Sequence, residues 1–205
     1  MFCATLRSTG KIALPVVLAL AATGFAQTST PAAQAPAVSA TGSVIGQAPK
    51  IEDRNAFIVV GVTVRTNNAR EAGGQGQIPQ MWQGAMQSGV LESIPNRTGD
   101  GLVVVYSDYA SDYTGDYNYT LGYRVTSADK IPPGMVAKTI HAGKYAAMTS
   151  EQGAPQVVIP ALWQRIAGMT PEQLGGARAY QTDFETFGDT TDWGNMEMTA
   201  HIGLK

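Results

Sequence analysis

Ile78-Pro79-Gln80-Met81-Trp82-Gln83 returns later in the chain as Ile159-Pro160-Ala161-Leu162-Trp163-Gln164. Trp82 and Trp163 stand 81 residues apart, and four of the six positions are identical. Each copy reads as the start of a helix, with Pro in its first turn and an apolar edge around Trp. One copy would be ordinary core. Two copies predict a duplicated unit, two similar halves closing around something between them.

The flanking sequence extends each copy to a β-α-β-β unit. In the first half, residues 57–64 are β-branched and predict a strand. A loop with Gly73, Gly74 and Gly76 follows. A helix over 79–87 puts Met81, Trp82 and Met86 near one face, and Gly89 can end it. Residues 102–106 and 117–125 predict two strands. In the second half, 135–149 supplies the leading strand, 155–169 the helix, and 177–187 with 195–204 the closing pair. Alternation puts Tyr117, Tyr119, Leu121, Tyr123 and Val125 on one side of their strand, and Met196, Met198, Ala200, Ile202 and Leu204 on one side of theirs.

The N-terminal region has another character. Arg7 and Lys11 precede an apolar run from Ile12 to Ala22, and Gly24-Phe25-Ala26 offers a cleavage site after Ala26. Residues 1–26 therefore predict a signal peptide and export to the periplasm of a bacterial envelope. The run is short, Ala-rich and interrupted by Pro15, which argues against a membrane span; an uncleaved anchor is the alternative reading. Cys3, the one cysteine, precedes the apolar run, so a cleaved protein has no disulfide and no thiol chemistry. Residues 27–50, rich in Ala, Pro, Ser and Thr, predict a flexible linker. Residues 51–205 make one domain, with halves of about 51–130 and 131–205. The net charge is −2 and no Lys/Arg run lies beyond the first segment, so nucleic-acid binding lacks its electrostatic footprint.

The folded part resembles the GyrI-like small-molecule-binding family, the effector-binding domain of AraC-type and MerR-type multidrug regulators. The resemblance is carried by an ordered set. It runs from Val60-Gly61-Val62 and Ile78 to Trp82 through Val104-Val105-Tyr106-Ser107-Asp108 and Tyr117 to Tyr123. It continues with Pro132-Pro133-Gly134-Met135, Ile140 to Ala146, Ile159 to Trp163 and Asp183-Phe184-Glu185-Thr186-Phe187. This implies an α+β fold, two β-α-β-β halves related by a pseudo-twofold, with antiparallel sheets, helices on one face and a ligand pocket on the other.

Glu185 is the leading candidate site residue. Period two puts Asp183, Glu185 and Phe187 on one side of a strand and Phe184 and Thr186 on the other. Carried back 81 residues, Glu185 falls on Val104 and Phe187 on Tyr106, so the halves differ in charge at matched positions. The resemblance implies that this Glu lies in the pocket and attracts cationic, apolar compounds. A buried carboxylate without a cation is unfavourable by several kcal/mol or has a raised pKa, and a cationic ligand relieves that cost. The competing reading is a surface Glu on a strand. Tyr106, Tyr119, Tyr145, Phe187, Trp82 and Trp163 are the candidate aromatic walls, suited to an amine by cation–π contact; for each alone, core packing competes.

Other features carry less. Asp108, Asp112 and Asp116 recur every four residues but lack the alternate spacing and distal Glu of a calcium loop. His141 and His201 have no partner at metal-ligand spacing. The glycine loop has no Lys-Ser/Thr after it, and no Gly-x-Ser-x-Gly turn is present. No metal and no cofactor is expected. Three classes of function remain: a small-molecule binding protein, a hydrolase of strained or electrophilic compounds, or an envelope adaptor. The resemblance to stand-alone hydrolytic members would make Glu185 a base or nucleophile and Tyr145 or Tyr106 a proton donor. The binding protein is the preferred reading, and whether the chain is also an enzyme stays open.

Overall fold

The computed structural model describes residues 48–188 and 190–205. The expected signal segment and most of the linker lie outside them. Five-residue strand β1 (Lys50–Arg54) is followed by β2 (Phe57–Thr66), the short helix α1 (Asn68–Ala72), α2 (Ile78–Ser88) and a 3-10 turn at Val90–Ser93. Then come β3 (Arg97–Ser107), β4 (Tyr117–Val125), β5 (Val136–Ile140), β6 (Gly143–Thr149), α3 (Pro155–Ala167), α4 (Pro171–Leu174), β7 (Thr182–Phe187) and β8 (Met198–Gly203).

The strands form one antiparallel eight-stranded sheet in the order β1-β6-β8-β7-β3-β4-β2-β5. That order is a palindrome of the duplication: β3 matches β7, β4 matches β8, β2 matches β6, and α2 matches α3. The α+β class and the duplicated antiparallel architecture stand as expected. Two strands are additional to the expected units. β1 begins at Lys50, and the single leading strand expected over 135–149 is broken by His141 and Ala142 into β5 and β6. Each additional strand pairs with the opposite half, β1 with β6 and β5 with β2.

This exchange sets the curvature. β1 and β2 are joined only by Asn55 and Ala56, yet they stand first and seventh in the sheet. Six strand spacings of a flat sheet span about 29 Å, whereas three peptide units reach at most about 11 Å. The sheet therefore curls until its edges approach. The concave side closes on Val59, Val103, Val105, Ile140, Tyr145 and Phe184. A paired approach of Gly61 and Gly122 in β2 and β4 lies on this path. A Cβ on Gly122 would stand 1.9 Å from the Val60 carbonyl oxygen.

The convex side carries the two long helices. α2 packs Trp82 and Ala85 against Val60, Val104, Tyr119 and Leu121, while α3 packs Leu162 and Ile166 against Met196, Met198, Ala200 and Ile202. The alternation seen in β4 and β8 is the cause, since it aims each strand's apolar side at its helix. α2 starts as expected, with Pro79 in its first turn, and stops at Gly89 in the left-handed conformation (φ 64°). Its N-terminal amides on Gln77 and Ile78 are bonded by the Glu71 carboxylate. The second copy differs: α3 begins at Pro155, so Pro160 lies inside the helix instead of opening it. Pro155 takes the first-turn role there, and Pro160 leaves the Gln156 carbonyl without the usual N–H donor.

Candidate functional site

Glu185 sits at the centre of the duplication. It pairs directly with Val104 across β7 and β3, the residue 81 positions earlier. An operation that carries one half onto the other exchanges these two positions, so the pseudo-twofold axis passes between them. Glu185 also pairs with Ala200 on β8. Val104 and Ala200 belong to the clusters beneath α2 and α3, so the carboxylate is on the helix-bearing face. The candidate site thus lies on the same side as the helices, not on the opposite side.

The Glu185 side chain is buried, with 1% residual exposure. Its Oε1 accepts the Trp163 indole N–H at 2.6 Å and the Tyr106 hydroxyl at 2.8 Å. Both donors are neutral. Burial raises its pKa to about 7, and the two hydrogen bonds offset only part of that rise. Tyr106 and Tyr119 are pushed well above their ordinary values, chiefly by burial and then by the Glu185 charge, so both remain O–H donors.

Aromatic rings extend from this carboxylate. Tyr106 lies 4.9 Å from the Trp163 ring and 5.1 Å from Tyr119, in an edge contact with the latter. Tyr119 accepts the Trp82 indole N–H at 2.8 Å. Trp82 meets Phe187 edge-on at 5.9 Å. Glu185, Tyr106, Tyr119, Trp82, Trp163 and Phe187 therefore form one connected constellation, reached from both halves and both helices. Two further rings join it. Tyr117 stands 5.4 Å from Tyr106, and Trp193 packs on Trp82 and Phe187. Tyr117 shares the strand side of Tyr119, a signal already present in the period-two pattern. Trp193 comes from a loop, where periodicity has nothing to report.

Tyr145 is not brought to this place. It pairs with Gly203 and belongs to the concave cluster, and its hydroxyl bonds the His141 carbonyl at 2.8 Å and Thr182 Oγ1 at 3.1 Å. The sheet stands between it and Glu185, so it cannot pass a proton there. The residue beside it, Ala146, faces the helices instead, which is the side reversal that period two imposes.

A second buried carboxylate lies two residues from the first. Asp183 is fully buried and accepts from Arg178 at 2.5 Å, from the Tyr109 hydroxyl at 2.7 Å and from the Gly203 amide at 2.8 Å. Arg178 lies 4.5 Å from the Tyr180 ring centre and 5.9 Å from that of Trp163, and its buried Nε has no hydrogen-bond partner among the described residues. Arg178 is the counter-charge of Asp183, so of these two buried carboxylates only Glu185 is held by neutral donors alone. Asp108, Asp112 and Asp116 go separate ways: they bond Lys138, Thr114 and Asn67, respectively. Among the described residues no group of three or more His, Cys, Asp or Glu could hold a metal ion.

The duplicated, pseudo-twofold antiparallel α+β fold is that of an effector-binding domain of the GyrI-like type. The chain belongs to the family described as Cass2, integron-associated effector binding protein, whose model matches residues 50–202. Among solved structures it is similar to the integron cassette protein VCH_CASS2 from Vibrio cholerae, with 25% identity, a TM-score of 0.61, and coverage of 78% of this chain and 97% of that one. SAV2435, solved bound to tetraphenylphosphonium, gives 17% identity and a TM-score of 0.60 over 76% of this chain and 93% of that one. A transcription-regulation protein from Staphylococcus aureus MU50 gives 17% identity and 0.59 over 78% and 100%. Comparison with curated proteins gives no significant match.

Proposed function

We propose that this protein captures an apolar, cationic small molecule at the Glu185 centre. One observation carries the reading: a fully buried carboxylate whose hydrogen-bond partners, Trp163 and Tyr106, are neutral donors among rings packed edge-on and tilted. A cation placed against it recovers the free energy lost on burying the charge. The rings add about 0.5–2 kcal/mol per cation–π contact. Family membership and the fold shared with the tetraphenylphosphonium-binding SAV2435 support it. The Trp163 and Tyr106 donors both bond Oε1 of the carboxylate.

The test is thermal stabilisation of the full chain by tetraphenylphosphonium, compared with neutral triphenylphosphine oxide. Stabilisation by the cation, lost in Glu185→Gln, is expected. Equal responses to both compounds, or a cation response unchanged in Glu185→Gln, would overturn the assignment. A hydrolytic reading has one specific support: Glu185 titrates at about 7, close to the pH at which a general base works best. Mass analysis of recovered ligands separates the two, since an enzyme returns a water adduct and a binder returns the compound intact. The sequence of residues 1–26 supports action in the bacterial envelope. Cell fractionation with N-terminal sequencing, expecting a periplasmic protein starting at Gln27, tests it.

A further inference from the structure

On the face of the sheet away from Glu185 lies an open groove of about 450 Å³, lined by Lys50, Glu52 and Arg54 of β1 and by Thr149, Thr186 and His201 of the strands beneath. Three of these side chains stand in series. Thr186 Oγ1 is 3.1 Å from His201 Nε2, and His201 Nδ1 is 2.9 Å from Glu52 Oε1. We propose that Thr186, His201 and Glu52 form a hydroxyl–imidazole–carboxylate relay that makes this groove an acyl-transfer site for small carboxylic esters.

The proton positions follow from the partners. Nδ1 of His201 faces Glu52 Oε1 at 2.9 Å and, farther off, the Arg54 terminal nitrogen at 3.4 Å; the shorter contact is to an ionised carboxylate, which only accepts, so Nδ1 carries the ring proton and donates it to Glu52. Nε2 is then an acceptor and takes the Thr186 O–H. That is the geometry in which a base activates a hydroxyl and a third group orients the base. Glu52 stays ionised: burial pushes its pKa up, but the hydrogen bonds and charge of Arg54, with those of His201, hold it below its usual value. Arg54 binds the same oxygen through Nε at 3.0 Å and through its terminal nitrogen at 2.6 Å, which fixes Glu52 in place. The imidazole lies flat on Phe184, with ring centres 4.3 Å apart and planes 9° apart, so its orientation is fixed as well. Burial, then the Arg54 charge, lower the His201 pKa to about 4 against the pull of Glu52, so the resting ring is neutral. Thr186 is only partly buried and borders the groove, whereas His201 is nearly covered. Lys50 and Arg54 on the groove wall supply positive charge for the oxygen of a reacting carbonyl.

The reaction balances without a redox partner. Thr186 Oγ1 bonds to the ester carbonyl carbon as its proton passes to His201 Nε2. The ester C–O bond breaks, and the alcohol leaves with that proton. Water then attacks the acyl-threonine, gives its proton to His201, and releases the carboxylic acid as Thr186 is reprotonated.

Diisopropyl fluorophosphate tests the nucleophile directly: an O–P bond forms, the P–F bond breaks, and the adduct is stable to mass analysis. The expected result with the full chain is one adduct, located on the peptide containing Thr186, with p-nitrophenyl acetate hydrolysed in parallel. Thr186→Val, which keeps the side-chain shape, abolishes both; Thr186→Ser restores them; His201→Gln slows them about 100-fold. Absence of an adduct, an adduct on another residue, or equal rates for the wild type and Thr186→Val would overturn the proposal.

Discussion

Glu185→Gln probes the centre of the molecule through stability alone, without a ligand. The folded-state pKa is about 7 against an ordinary value of 4.5, raised by burial. The folded state therefore holds its proton more tightly than the unfolded state. The associated stability is fully present below pH 4.5 and is lost as pH rises through 7. Between pH 5 and pH 8, linkage gives a loss of about 2.5 kcal/mol in the wild type that the Gln variant does not share. All other titrating groups are common to both proteins and cancel in the difference. Gln also preserves volume and an acceptor oxygen for Trp163 and Tyr106. Urea unfolding of the full chain and of Glu185→Gln at both pH values measures it. The wild type is expected to lose stability relative to the variant at pH 8. A stability difference that is the same at both pH values refutes the buried, raised carboxylate, and with it the physical basis for cation capture.

Three other outcomes follow from the same structure. Tyr106→Phe removes one of the two hydrogen bonds that restrain Glu185, so the carboxyl midpoint, followed by carbon-13 NMR, moves above about 7. Arg178→Met leaves Asp183 buried without its cation and is expected to cost about 3–5 kcal/mol in urea melts; adding Asp183→Asn to that variant recovers a large part. Two Gly→Ala changes have opposite signs. Gly122→Ala drives a Cβ into the Val60 carbonyl and lowers stability by more than about 2 kcal/mol. Gly84→Ala, in the interior of α2 with open space around it, raises stability by about 0.5–1 kcal/mol.

The sequence revealed the parts of the fold that repeat or alternate. The Trp82 and Trp163 copies locate α2 and α3, and the 81-residue offset matches Val104 to Glu185 as equivalent positions; that the two pair directly is visible only in the sheet. The alternating sides of β4 and β8 are the floors beneath the helices. What escaped was non-local. β1 reads as Lys-Ile-Glu-Asp-Arg, too polar and short to look like a strand, because an edge strand gains its place from pairing with β6. Tyr145 belongs to a strand motif of the resemblance and is aromatic, yet a strand places neighbours on opposite faces, and neither motif nor residue type fixes which face a side chain takes. His201 looked solitary because its carboxylate partner, Glu52, is 149 residues away in sequence. Asp183 and Arg178, a close pair in sequence, form a salt bridge that leaves no pattern beyond the two residues themselves.

The palindromic sheet has a consequence for how such a centre can be built at all. Two identical half-length chains, exchanging their edge strands in the same way, would make a twofold dimer of this shape. Their symmetry axis would then face each residue with its own copy. Two glutamates there would repel in a dry interior, and two valines would offer no charge. A single carboxylate opposite a single valine exists only because Val104 and Glu185 lie in one polypeptide. Fusion of the halves frees each to change alone, and covalent linkage is what permits a lone negative charge at the meeting point of two equivalent surfaces.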